Sequence, residues 1–165
     1  MIEQGFAING QPIDIEKEIL ITYWNAIGRV LNGHDFWYTY TENAGIDIYA
    51  NRSIRSGYHL VDTNRKRLYI TDKHLLNKYA AYIWHDNYIY PGLGMLLNNA
   101  DVIVQANCFF EDGIIKTMRD IQRGEFLRID YGYKDLQYPP IPEEIIAIRQ
   151  ERLKLKENIK AQKGE

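Results

Sequence analysis

The stretch RDIQRGEFLRIDYGY, residues 119–133, decides the predicted fold. Its residues 122–125 are typical of a turn, because glycine and polar residues favour tight reversals of the chain. FLRIDY, residues 126–131, then predicts a short strand that is followed by Gly132 and Tyr133. Residues two apart in a strand share a face of the sheet. Taken alone, Tyr131 and Tyr133 are therefore also compatible with stacked aromatics on one face.

Other short aromatic and β-branched segments precede this stretch. FWYTYT (36–41), GIDIYA (45–50), GYHLVD (57–62) and RLYIT (67–71) are separated by Gly, Asn or Asp, which predicts short strands joined by tight turns. Residues 72–90 predict a helix or loop that crosses between strands. The Asp112-Gly113 pair inside residues 101–121 predicts a β-hairpin.

A helix is predicted near each end of the chain. Residues 11–33 have apolar positions at helical spacing, with Asp14 as the N-cap and Asn32-Gly33 as the stop. After a Pro-rich break at 138–142, a charged helix at about 142–162 carries one apolar stripe, formed by Ile145, Ile148, Leu155 and Ile159 and interrupted by Arg152. Such a helix needs a partner in water. The partner is either the core or a second copy, so a homodimer stays open. The expected fold is a β-rich α+β fold with flanking helices.

Composition excludes several classes of protein. The 165 residues suit one domain with flanking structure, and 20 Lys plus Arg against 22 Asp plus Glu argue against direct nucleic-acid binding. The single cysteine, Cys108, allows no disulfide framework and no Cys-rich zinc site. It is either a nucleophile paired with a distant His or, as its apolar neighbours favour, an inert buried thiol. No metal-ligand spacing, signal peptide or 18-residue apolar run is visible, so we expect an intracellular protein, cytoplasmic or nuclear, without a metal or membrane partner.

Several segments, in order, resemble the SET domains of protein-lysine methyltransferases. Residues 119–133 match the family's run RDI-x-x-GEEL-x-x-DYGY. AGIDIYANRSIRSGYHL, residues 44–60, is similar to the family's G-x-G-x-(F/Y)-A segment, with Asp47 in place of the second Gly. LLNNA, residues 96–100, stands where the family has NHS, with Asn99 replacing His, and lacks the following Pro-Asn. The resemblance implies a SET-like β-clip fold over residues 36–133, an N-terminal helical flank at 1–35, and a Pro-rich turn with a charged helix at 134–165.

The resemblance also implies an activity and a set of site residues. The activity is methylation of a lysine side chain on a protein, with S-adenosyl-L-methionine as the cofactor. Tyr131 matches the tyrosine at the family's methyl-transfer centre, and Tyr133 and Tyr69 are expected to line the substrate channel. An apolar aromatic channel suits this chemistry because it lowers the pKa of lysine and aligns the amine with the methyl group. The residues expected to bind the cofactor are Gly45, Asp47, Tyr49, Asn98, Asn99, Tyr131 and Tyr138.

For some of these residues more than one role stays open. Asn98 either bonds the cofactor or fixes its loop, and Asn99 is expected to offer backbone groups. Asp47 either disturbs the glycine turn or accepts a hydrogen bond of its own. Tyr138 or the terminal helix is expected to cover the cofactor, because one cysteine cannot form the family's post-SET zinc motif.

The expected partner is a protein with a lysine in a basic or flexible segment, and histone tails are one such class. Opposite charge would steer a basic tail to this acidic chain. Two alternatives remain. One is a catalytically inactive SET-like binding module, which Asp47, Asn99 and the missing Pro-Asn favour. The other is an unrelated β-rich oligomerisation module built around the terminal helices.

Overall fold

Several small β-sheets and two long helices make up the architecture. The computed structural model describes residues 2–3, 7–8, 11–12, 14–30, 34–41, 45–60, 68–84, 87–91, 95–100, 104–111, 114–130 and 140–164. Its helices are α1 (Ile15–Val30), α2 (Lys73–Lys78), a short 3₁₀ turn (Ala80–Tyr82) and α3 (Glu143–Gln162). Its strands are β1 (Ile2–Glu3), β2 (Ala7–Ile8), β3 (Gln11–Pro12), β4 (Phe36–Thr41), β5 (Gly45–Ala50), β6 (His59–Leu60), β7 (Leu68–Tyr69), β8 (Ile83–Trp84), β9 (Tyr88–Ile89), β10 (Asn98–Asn99), β11 (Cys108–Glu111), β12 (Ile114–Thr117) and β13 (Arg128–Ile129).

Within the described ranges these strands form five separate sheets. The largest has the order β1-β7-β9-β8, and a three-stranded sheet has the order β11-β12-β6. The pairs β4-β5, β2-β3 and β10-β13 complete the set, and the last of these is parallel. The prediction of a β-rich α+β fold with a helix near each end is confirmed.

Helix α1 begins where its cap predicts. The Asp14 carboxylate accepts a hydrogen bond from the Lys17 backbone N–H at 3.1 Å, which satisfies one of the free donors of the first turn. Of the apolar face that the sequence predicts, Ile15, Ile19, Tyr23, Ala26 and Ile27 are buried in the core, while the side chain of Val30 and the predicted stop at Asn32-Gly33 lie outside the described part of the structure.

The segments predicted as short strands at 36–41 and 45–50 form one hairpin, and the hairpin predicted around Asp112-Gly113 forms a second. Strands β4 and β5 pair antiparallel from Phe36 opposite Ala50 to Thr41 opposite Gly45. Strands β11 and β12 pair around the predicted turn, whose own residues 112–113 lie outside the described part of the chain. Both hairpins join segments that are close in sequence, so alternation and turn residues were enough to predict them.

The strand predicted at 126–131 is shorter than expected, because its backbone bonds are shared among several partners. Leu127 N–H donates to Ile48 O of β5 at 2.9 Å. Two residues later, Ile129 O accepts from Ala100 N–H at 2.8 Å, and Arg128 O accepts from Asn107 N–H at 3.1 Å. Only β13 therefore forms a continuous ladder, and the segment acts as a crossing point between β5 and β10.

Helix α3 packs with a different face from the one predicted. Ile145, Arg149 and Leu153 are buried, whereas Leu155 and Ile159 are 43% and 47% exposed, so the second half of the predicted stripe is wrong. The helix lies against α1, and this neighbour selects positions four residues apart. Across the contact, the Arg152 guanidinium stacks 3.8 Å above the Trp24 ring. Arg152, which interrupts the predicted stripe, therefore belongs to the surface that packs against α1.

None of the helices in the described part of the chain is both long and apolar enough to cross a membrane.

Candidate functional site

Three of the SET-like segments meet where β5, β10 and β13 cross. In the parallel pair, Asn98 lies opposite Arg128 and Asn99 lies opposite Ile129. The NHS-like residues are thus hydrogen-bonded neighbours of the strand that leads to residue 131. Tyr131, Tyr133 and Tyr138 themselves lie outside the described residues, and their predicted roles stay predictions.

A buried ion pair lies at the centre of this crossing. Arg128 Nε donates to Asp47 Oδ1 at 3.0 Å, and Arg128 Nη2 donates to the other carboxylate oxygen, Oδ2. Asp47 is fully buried and Arg128 is 5% exposed. Charge-assisted bidentate pairs of this kind are strong and directional. Of the two roles that the sequence left open for Asp47, the structure shows the second, a carboxylate with its own hydrogen bonds.

Asn98 and Asn99 connect the ion pair to the NHS-like segment. Asn98 Nδ2 donates to Ile46 O at 2.5 Å and to Asp47 Oδ1 at 3.2 Å. Asn99 O accepts from Arg128 Nη1 at 2.8 Å. The Asn98 amide therefore fixes β5, which is one of the two roles expected for it. A direct contact between Asn98 and a cofactor stays a prediction.

Sequence reasoning missed Arg128 and Asn107 as members of this group. Asn107 Oδ1 accepts from the Arg128 backbone N–H at 3.0 Å, and Asn107 Nδ2 donates to Phe126 O at 2.6 Å. A signal existed for each: Asn107 precedes the apolar run Cys108–Phe110, and Arg128 stands between two apolar strand residues. Residues 47, 98, 99, 107 and 128 together are called the polar crossing below.

One end of the β4–β5 hairpin, the pair Thr41–Gly45, adjoins the polar crossing, because the next pair on the same face contains Asp47. Gly45 has φ +69°, a left-handed conformation that favours glycine, and a Cβ added there would meet no atom of the described residues within 4 Å. Opposite Gly45, the Thr41 hydroxyl is shielded from solvent and has no hydrogen-bond partner in the described part of the chain. The site residue Gly45 thus borders both open space and an unsatisfied polar atom.

The two described aromatic candidates lie in different sheets. Tyr49, in β5, makes an edge contact with Phe126 at 6.5 Å between ring centroids, and the Arg128 guanidinium lies 5.8 Å from the same Phe126 ring. Tyr69 belongs to the four-stranded sheet and contacts Tyr88 at 5.2 Å. Tyr49 therefore adjoins the polar crossing, whereas the described contacts of Tyr69 are with its own sheet.

The remaining chemical groups fit structural roles. Burial raises the pKa of the Cys108 thiol to about 12, so the thiol is protonated at neutral pH and is a poor nucleophile. This agrees with the inert alternative for Cys108. Across the described ranges, no three His, Cys, Asp or Glu side chains are grouped so that they could hold a metal ion.

Comparisons with known proteins do not establish a family for this chain. No protein-family model and no curated protein matches this sequence. A solved structure from Plasmodium falciparum, described as a candidate histone methyltransferase, is similar with a TM-score of 0.42 and 17% identity. The alignment covers 62% of this chain and 97% of that one. A similarity at this level does not establish a shared fold.

Proposed function

We propose that this chain is a SET-type methyltransferase that transfers a methyl group from S-adenosyl-L-methionine to a lysine side chain of a protein. The observation that carries the proposal is the polar crossing. Asn98 binds Ile46 across 52 residues of sequence, and Arg128 binds Asn99 across 29. Segments that were singled out only by their order in the SET motif are thus in contact. These contacts support the SET-type interpretation over an unrelated β-rich oligomerisation module.

The residues at the Thr41–Gly45 end of the β4–β5 hairpin suit an S-adenosyl compound. Gly45 leaves its backbone accessible, which favours close approach by a ligand. The Asn98 side chain lies nearby, because its Nδ2 donates to the backbone oxygen of Ile46, the residue after Gly45. When bound, the cofactor would supply a methyl group on a positively charged sulfonium. Asp47 is committed to Arg128, so we propose that it acts on the cofactor only by holding β5 in place.

The proposed role of the tyrosines follows from their position just beyond β13. Tyr131 and Tyr133 follow Ile129 by two and four residues. Aromatic walls would exclude water, disfavour the charged ammonium of lysine, and so increase the fraction of neutral amine that can attack. The Tyr131 hydroxyl would orient this amine, and orientation accounts for a large part of such rate enhancements.

The decisive experiment is mass spectrometry of basic peptides and a cell extract treated with S-adenosyl-L-methionine and the full chain. We expect the wild type to methylate lysine and Tyr131→Phe to lose most turnover. The stability of this variant should change by only about 1 kcal/mol, the worth of one hydrogen bond. Tyr133→Phe is the matched control, and it should alter the number of methyl groups added. Wild-type turnover in Tyr131→Phe would show that the catalytic tyrosine is another one.

A second candidate is an inactive SET-like binding module. It is favoured by Asp47, which stands at the position of the family's second glycine and is buried in an ion pair with Arg128. Thermal unfolding with S-adenosylhomocysteine separates the possibilities. A ligand at 100 times its Kd stabilises the native state by about 2.7 kcal/mol. A thermal shift without turnover would favour the binding module, and no shift at millimolar ligand would contradict cofactor binding.

A further inference from the structure

The hydroxyl of the half-buried Thr41 is unusual among the shielded threonine hydroxyls in the described part of the chain. Thr41 Oγ1 is shielded from solvent and has no hydrogen-bond partner within the described ranges. Thr117 provides the contrast, because its Oγ1 donates to Arg55 O at 2.7 Å and accepts from Tyr58 N–H at 2.9 Å. Buried hydroxyls are normally satisfied, since an unpaired one is destabilising. A hydroxyl that lacks a partner among the described residues is suited to receive one from a ligand.

The position of Thr41 indicates where that partner would come from. Thr41 is the last residue of β4 and lies opposite Gly45, and the preceding pair on this face joins Thr39 and Asp47. Paired residues, and residues two apart, share one face of a hairpin. The Thr41 side chain is therefore on the same face as Asp47, the residue that contacts Asn98. It lies one residue pair further along the hairpin, beside Gly45, where an added Cβ would meet no described atom within 4 Å.

We infer that the Thr41 hydroxyl is a binding group for the S-adenosyl cofactor and forms a hydrogen bond with one of its polar groups in the space beside Gly45. This inference rests on the proposed function. A hydroxyl both donates and accepts hydrogen bonds, so it suits any of the polar groups of such a compound. The ligand would satisfy a hydroxyl that has no partner among the described residues, and the bond would therefore favour the bound state.

The test compares Thr41→Val, Thr41→Ser and the matched control Thr117→Val in the full chain. The Tm without ligand and the Kd for S-adenosylhomocysteine are measured for each, the latter by isothermal titration. Valine has nearly the shape of threonine without the hydroxyl. We expect Thr41→Val to keep or raise the ligand-free Tm and to weaken binding by about three- to tenfold, the range of one hydrogen bond. Thr41→Ser should bind within about twofold of the wild type. Thr117→Val should lower the Tm and leave the Kd unchanged.

Each adverse result has its own meaning. Equal affinity of the wild type and Thr41→Val would overturn the role of Thr41 and leave the proposed function intact. A ligand-free Tm that falls in Thr41→Val, as in Thr117→Val, would show an internal partner for the hydroxyl and would also overturn it. Failure of the wild type to bind S-adenosylhomocysteine at millimolar concentration would overturn the proposed function and the inference together.

Discussion

Arg128 in the polar crossing and Arg149 in the contact between α1 and α3 are 5% and 7% exposed, but they bond different kinds of oxygen. Arg128 binds the buried carboxylate of Asp47. Arg149 donates to two neutral acceptors, the Tyr23 hydroxyl at 2.8 Å and Met95 O at 3.0 Å. The loss of Arg128 would leave the buried Asp47 carboxylate without its counter-charge, whereas the described bonds that the loss of Arg149 would break are to two neutral acceptors. Although the two arginines are similarly buried, removing each is therefore expected to lower the free energy of unfolding by a different amount.

The helix contact also reaches towards the site. Met95, whose carbonyl accepts from Arg149, precedes Asn98 by three residues. The Tyr23 hydroxyl accepts from the same guanidinium, and burial is the main reason that the pKa of Tyr23 is raised. Arg149 thus links α3, α1 and the segment that enters β10. The terminal helix supports the polar crossing from outside without belonging to it.

The largest effect is expected for Arg128→Met. It should lower the free energy of unfolding by about 3–5 kcal/mol, because breaking a buried pair leaves an uncompensated charge. Arg149→Met should cost less, about 1–3 kcal/mol, the range for unsatisfied neutral groups. Urea unfolding of both variants measures the difference.

The control for Arg128→Met is the double variant with Asp47→Asn. Removing the stranded charge should restore part of the lost stability, because an amide is easier to bury than a carboxylate. Equal costs for the two arginine variants, or no recovery in the double variant, would contradict the contrast between the two regions.

A second prediction concerns the packed face of α3. Ile145→Ala removes a fully buried side chain and should cost about 2–5 kcal/mol. Leu155→Ala is the matched control on the same helix, and it should change stability by less than about 0.5 kcal/mol, since Leu155 is largely exposed. Thermal unfolding checks both variants. A larger effect at Leu155 would favour the original stripe and a partner that covers it.

The smallest effect on stability is expected from lowering the pH, which acts on an ion pair at the start of α3. Lys78 Nζ lies 2.6 Å from Glu144 Oε1 and 2.9 Å from Glu16 Oε2, and its hydrogen bond lowers the pKa of Glu144. A carboxylate with a lowered folded pKa stabilises the protein above its unfolded pKa, about 4.3, and loses this contribution as the pH falls through the folded value. Glu144 is 42% exposed, so the pair is worth less than about 1 kcal/mol.

The measurement is the Tm of the wild type and Glu144→Gln between about pH 6 and pH 3. At the higher pH the wild type should have a slightly higher Tm than Glu144→Gln. At the lower pH the two Tm values should converge. A difference that persists unchanged in acid would show that the ion pair is not its cause. Glu111→Gln is a useful comparison, because Glu111 lies 3.6 Å from Lys116 in a more open pair.

Local patterns predicted the parts of the fold that depend on local contacts. Helix α1 and the β4–β5 hairpin followed from apolar spacing and turn residues, because their partners are near in sequence. The predicted apolar face of α3 was wrong in its second half, because packing against α1, more than a hundred residues away in sequence, selects which positions are buried. The strand at 126–131 was predicted too long for a similar reason. Its backbone bonds to β5, β10 and Asn107 are visible only in three dimensions.

The candidate site was predicted in outline and missed at its centre. Gly45, Asp47, Tyr49, Asn98 and Asn99 were selected through the motif, and the structure brings their segments together. Arg128 was not selected, because its importance depends on Asp47, which is 81 residues earlier. Thr41 was missed because a lone threonine at a strand end has no distinguishing pattern. The roles of Tyr131, Tyr133 and Tyr138 stay predictions.

The separation between Asp47 and Arg128 has a consequence for biosynthesis. A ribosome that adds about 5–20 residues per second makes Arg128 about 4–16 seconds after Asp47, given the 81 residues between them. Strands β4 and β5 pair with each other over a short stretch of sequence and can form the hairpin early, but the Asp47 face has no counter-charge until Arg128 has been made. Burial of that face before Arg128 arrives would be costly. The nascent hairpin therefore keeps this face in water, where a chaperone or protease can reach it, and the polar crossing closes only after most of the chain has been made.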